Sequence, residues 1–121
     1  MTSREFEKLV EDGLAMIPAE LRALIANVQI VIEDEPSAEL LAELGVPEDE
    51  TLFGLYSGTP LTERTTEYAA LPDRITIYRL PLLDEFDEPD ELRREVARTV
   101  IHELAHHFGI DEDRLAELGW D

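Results

Sequence analysis

The chain has no cysteine. Disulfides and thiolate metal sites are therefore excluded, and any metal must be held by nitrogen and oxygen donors. Lysine is nearly absent too: Lys8 stands alone among 10 basic residues, against 29 acidic ones, for a net charge of −19. The acids come in runs, at 33–35, 84–91 and 111–113. Such a field repels nucleic acid and anionic membrane surfaces and favours cationic partners, so neither of those is expected as a partner. Long apolar runs are also missing. None approaches the roughly 20 residues of a membrane span, and the opening MTSREFEKLVEDGLAMIPAEL carries acids through its apolar positions, with neither a basic n-region nor an uninterrupted h-region. The expectation is a cytoplasmic protein whose 121 residues form one domain, 1–121, around one core.

What is present is patterned. Phe6, Leu9, Val10, Leu14 and Ile17 recur at helical spacing after Thr2 and Ser3, and IPAELRALIANV restarts a second short helix at Pro18. NVQIVIED, 27–34, alternates Val28, Ile30 and Ile32 against Gln29 and Val31, which is a strand pattern. SAELLAELG, 37–45, has a serine cap, helical spacing and a closing glycine. TLFGLYSGTPLTER, 51–64, and DRITIYRL, 73–80, read as two further strands, with a long polar loop in TPLTERTTEYAALPD between them. From about Pro89 a helix runs to Phe108 and is stopped by Gly109; the amphipathic DEDRLAELGW follows. Helices segregated around a small mixed sheet of about three or four strands make an α+β domain.

Every histidine falls in TVIHELAHHFGIDEDRL, 99–115: His102, His106 and His107. Residues four apart on a helix differ by only about 40° in direction, so His102 and His106 present both imidazoles to one point. Glu103 lies beside that face, where its carboxylate can reach a metal-bound water without joining the ligands. Val100, Ile101, Leu104 and Phe108 fall on the opposite side and are expected to be buried. His107 points away from the midpoint of the other two and suits a cation at a helix C-terminus. By chance alone such a trio arises in roughly one chain in a few hundred, so context decides. A left-handed turn at Gly109 would fold the chain back, and the third ligand that a catalytic Zn²⁺ requires could come from Asp111, Glu112 or Asp113. About 10 Å of extended chain brings Glu112 within reach, while at least one of these acids is expected to cap the next helix.

These residues resemble the mini-zincins, small bacterial members of the zincin metallopeptidase superfamily, through GLYSGTPLTER, LPDRITIYR and VIHELAHHFGIDEDRLAELG. His102, Glu103, His106 and Gly109 match the HExxHxxGxxD motif one by one, and Glu112 stands where that family has aspartate. Metzincins fit less well, since they need a histidine there and a later methionine turn, whereas the methionines here are Met1 and Met16. The resemblance implies a zincin-like fold and a Zn²⁺ held by His102, His106 and Glu112. It also implies Glu103 as general base, hydrolysis of a peptide or protein substrate, and Trp120 packed beneath the site. A scaffold that binds metal or protein without turnover is the alternative. The acidic surroundings favour a basic substrate, and RITIYRL is expected to offer it a free strand edge. Tyr56, Tyr68, Tyr78, Arg64, Arg79 and His107 are candidates for stabilising the oxyanion.

Overall fold

Residues 1–58 and 73–120 are described by the structure, a computed structural model. Thr2 begins the first helix, α1 (Ser3–Ala15), with its Oγ1 accepting the N–H of Glu5 at 3.1 Å. Phe6, Leu9 and Val10 then turn inward and are buried. A short α2 (Ala19–Arg22) and a single 3-10 turn (Ala23–Ile25) lead into β1 (Val28–Glu33). Ser37 caps α3 (Ala38–Glu43) through the N–H of Leu40. Two more strands follow, β2 (Gly54–Ser57) and β3 (Asp73–Tyr78), then α4 (Arg79–Glu85), the long α5 (Pro89–Phe108) and α6 (Glu112–Glu117).

The fold is α+β, as the sequence implies, but the sheet differs from expectation in its order, β1-β3-β2. β3 pairs in parallel with β1 and antiparallel with β2. RITIYRL is thus the central strand and offers no free edge, which removes the substrate-pairing role expected of it. Its Ile75, Thr76, Ile77 and Tyr78 are all buried, where local alternation implies one open face. The strand also ends sooner than its pattern suggests, because Arg79 and Leu80 open α4. Pro81 sits in the first turn of that helix, where its missing N–H costs nothing, and Asp34 holds the start: Arg79 donates to its carboxylate at 3.0–3.1 Å and the Leu80 N–H donates to its carbonyl at 2.8 Å. Most of the loop expected between the second and third strands, together with Arg64 and Tyr68, lies outside the described residues.

Pro89 begins α5 and Asp90 and Glu91 occupy its first turn, where carboxylates meet the positive end of the helix dipole. Two rows spaced by four, Leu92-Val96-Val100-Leu104 and Ala97-Ile101-Ala105, make a buried stripe. That stripe packs against α1 and against β2 and β3. The spacing assigns Phe108 to it as well, but Phe108 is 46% exposed, its ring standing at the helix end against Tyr56 and His107 and outside the core. Gly13 sets the approach of α1, because a Cβ there would stand 2.7 Å from the Arg93 carbonyl oxygen and 3.2 Å from Val96. The obstructing atom is backbone and cannot rotate away. Overpacking of this kind costs about 1–3 kcal/mol, against the roughly 1 kcal/mol alanine gains in a helix interior. Gly13→Ala should therefore lower the urea midpoint with an unchanged slope; a midpoint at or above that of the wild type would show that α1 can move off Arg93 freely.

Candidate active site

The last three turns of α5 carry the site. His102 and Glu103 are partly buried, while His106 and His107 are exposed at the helix end. The buried stripe forces this arrangement: with Ile101, Leu104 and Ala105 committed to the core, the residues between them must face the other way. Gly109 then ends the helix at φ 70°, ψ 30°, a left-handed geometry in which glycine carries no Cβ penalty.

β2 provides the wall opposite. It lies close to α5 because Gly54 has no side chain; a Cβ there would fall 2.6 Å from Cγ2 of Thr99 and 3.0 Å from the Thr76 carbonyl oxygen. Two residues on, the backbone N–H of Tyr56 donates to Oε2 of Glu103 at 3.3 Å. Burial pushes the Glu103 carboxyl above its ordinary value, and the Tyr56 N–H, His106 and His102 oppose that rise without cancelling it. Gly54 and Tyr56 carry no local signal for this contact; Tyr56 is expected near the site only for its hydroxyl, as an oxyanion candidate, whereas it is its backbone N–H that meets Glu103. The extra strength of the site lies in a main-chain donor, which composition cannot reveal.

His102 Nε2 stands 3.0 Å from the Trp120 carbonyl oxygen. A carbonyl can only accept, so Nε2 is the donor in this contact. Trp120 is 6% exposed and belongs to the core, and the Arg94 guanidinium lies 4.7 Å over its ring. His107 does not join His102 and His106. Its ring stacks on Tyr56 with centroids 3.9 Å apart, and Nε2 lies 3.9 Å from Oδ2 of Asp73, which the Tyr56 hydroxyl meets at 2.7 Å. Phe108 stands edge-on to both rings.

The acids after the turn take separate places. Asp111 caps α6, its Oδ1 accepting the Arg114 N–H at 2.8 Å, while Glu112 and Asp113 are exposed in the first turn. Among the described residues no group of three histidine or carboxylate side chains stands close enough to hold a metal ion. The structure brings His102, Glu103 and His106 onto one helix end and leaves Glu112 apart from them. In donor chemistry, two imidazoles one turn apart fit an ion of the zinc type, and carboxylate is the matching third donor in a chain without thiols. Of the remaining polar candidates, Arg79 is engaged by Asp34. Tyr78 is buried, and its hydroxyl pKa is raised first by that burial and then by the charge of Glu33.

A mixed sheet carrying a helix with His-Glu-x-x-His at its end is the fold of a metallopeptidase-like protein. The chain belongs to the Zincin-like metallopeptidase family, which matches residues 25–120. A solved structure, that of a conserved hypothetical protein from Thermo thermophilus, is similar in fold: TM-score 0.59 and 24% identity over 99% of this chain and 100% of that one. No curated protein matches the sequence.

The raised Glu103 carboxyl has a consequence for stability. Because the folded chain holds this proton more tightly than the unfolded chain, it binds more protons at pH values between the ordinary glutamate value, 4.5, and the raised one. Stability contributed here is lost as pH rises through that window. Glu103→Gln abolishes the loss. In urea titrations with a chelator present, the variant should gain on the wild type as pH is raised from about 4 to about 8, and a difference that stays flat would place the carboxyl in water.

Proposed function

We propose that the protein is a zinc-dependent peptidase in which Glu103 is the general base. The observation that carries this reading is the Glu103 carboxylate itself: desolvated, fixed by a backbone donor, and set between two histidines at the rim of an open cleft. Carboxylates are tuned upward in this way where they must take a proton near neutral pH. His102 and His106 would hold the ion, and Glu112, at the aspartate position of the family motif, would complete the set. When bound, zinc polarises the scissile carbonyl and lowers the pKa of water toward about 7.

The remaining steps belong to side chains of this protein. Oε2 of Glu103 is occupied by the Tyr56 N–H, which fixes the carboxylate plane and leaves Oε1 to take the proton of the attacking water. As the C–N bond breaks, the same carboxyl returns that proton to the leaving nitrogen, so the base is regenerated. The substrate is a peptide or protein segment lying in the cleft between β2 and α5.

General-base removal costs roughly 10² to 10⁴ in rate. Zinc-loaded Glu103→Gln should therefore lose peptide hydrolysis by that factor while keeping its zinc, as read by peptide-library cleavage beside metal analysis of untagged protein. Absence of any turnover by zinc-loaded wild type would overturn the reading.

The ligand assignment is tested separately, by titrating zinc against a competing chelator. His102→Ala and His106→Ala should each weaken binding severely, and His107→Ala should not, because that ring is spent on Tyr56. Glu112→Ala should lose more affinity than Asp113→Ala, and Glu112→Asp should retain it. A larger loss at Asp113 would move the ligand there.

The second reading is a metal-binding scaffold without turnover. Its signature is zinc bound at one ion per chain with no cleavage of any peptide in the library.

A further inference from the structure

Beside His102 and Glu103 the cleft widens into a hollow of about 300 Å³, lined chiefly by Leu52, Phe53, Arg98 and Thr99. Arg98 lies one turn before His102 on α5, so its side chain stands on the same side of the helix as the proposed metal face. Cations are scarce in this chain, and most that are described are engaged. Arg79, Arg93 and Arg114 donate to carboxylates, Arg22 donates to the carbonyls of Ala15 and Ile17, and Lys8 pairs with Asp12.

Arg98 differs. Its Nε is buried with no hydrogen-bond partner among the described residues, and its Nη1 makes a long ion pair with Oε1 of Glu95, at 3.6 Å. The side chain as a whole remains 39% exposed, so the outer part of the guanidinium is open to the hollow. An arginine has five donors arranged as a fork that matches a carboxylate. Here Nε has no partner among the described residues and the exposed Nη end is held only loosely by Glu95, so most of the fork remains available to a planar anion entering the hollow.

We propose, on the basis of the peptidase reading above, that Arg98 is a specificity residue that binds a carboxylate of the substrate next to the scissile bond. The carboxylate is either an acidic side chain or the free C-terminus of a short peptide, with its aliphatic carbons against Leu52 and Phe53. This reverses, at one subsite, the preference for basic substrates that the overall charge implies. Glu95 and Glu103 also border the hollow, so the field there is not uniformly positive. Glu95 in particular competes for Arg98 and sets how strongly the site prefers acid.

The test uses peptide pairs that differ only in glutamate for glutamine, and pairs that differ only in a free or amidated C-terminus. Binding is measured by fluorescence anisotropy on the full chain kept metal-free with chelator, so that neither cleavage nor a metal–carboxylate bond contributes. Cleavage of the same peptides is measured on the zinc-loaded chain. The wild type should favour the acidic member of one pair by roughly tenfold to a hundredfold, the range for a hydrogen bond to a charged group, and the responding pair identifies the source of the carboxylate. Arg98→Gln should collapse that ratio, Arg98→Lys should restore it in part, and Glu95→Gln should raise it. Equal binding of both members of both pairs by the wild type overturns the proposal without need of a variant, even if peptides are cleaved. Acid preference in binding that depends on Arg98, with no cleavage of any peptide, upholds the subsite and overturns the peptidase reading instead.

Discussion

The site depends on how closely β2 can approach α5. A single missing Cβ, at Gly54, allows the strand to lie against Thr99, and only at that separation can the Tyr56 N–H reach the Glu103 carboxylate. Burial between strand and helix withdraws that carboxylate from water and raises its pKa, while the Tyr56 N–H opposes the rise without cancelling it. Packing, hydrogen bonding and proton affinity are here one constraint seen three ways. A larger residue at 54 would push on a β-branched side chain of α5 and on the β3 backbone together, and neither can yield cheaply.

α5 carries opposing demands along one helix. Its buried rows meet α1 on one side and the sheet on another, which fixes its rotation. That rotation leaves the intervening positions, Glu95, Arg98, Thr99, His102 and Glu103, to line the cleft. The acidic field of the molecule does not act uniformly along this line. Beside His102 and His106 stands a desolvated carboxylate, and about one turn earlier stands an arginine whose Nε has no partner among the described residues. The local charge along this line thus changes sign within about one turn, although the chain as a whole is strongly anionic.

Much of α5 is legible in the sequence, because the signals are local: Pro89 at the start, acids in the first turn, two rows spaced by four, and Gly109 at the stop. The same holds for the cap of α6, where an acid is expected and Asp111 supplies it. What fails is non-local. Alternation in RITIYRL marks a strand but says nothing of its neighbours, so its central place, set by parallel pairing with β1, is not readable. α4 escapes the sequence reading because Arg79 and Leu80 continue the apparent alternation, and its start is held by Asp34, far away in the chain. Phe108 obeys the period of the buried stripe, yet its ring lies at the exposed helix end against Tyr56 and His107. The partner of Glu103 is a main-chain N–H, which no choice of side chain announces.

The end of the chain bears on how His102 meets a ligand. Trp120 is locked by burial of its ring and by the Arg94 guanidinium above it, so its carbonyl is a fixed acceptor. A fixed acceptor 3.0 Å from Nε2 removes the rotational freedom of the imidazole before any ligand arrives. Histidines held through one ring nitrogen by a carbonyl are oriented and made more basic at the other. Ordering the ring in advance lowers the entropic cost of engaging it later. His106, by contrast, is exposed at the last turn and has no described partner to hold its ring. The two imidazoles that the spacing makes equivalent are therefore unequal in the fold: one is set in place by the C-terminal residues, and the other must be ordered by whatever binds.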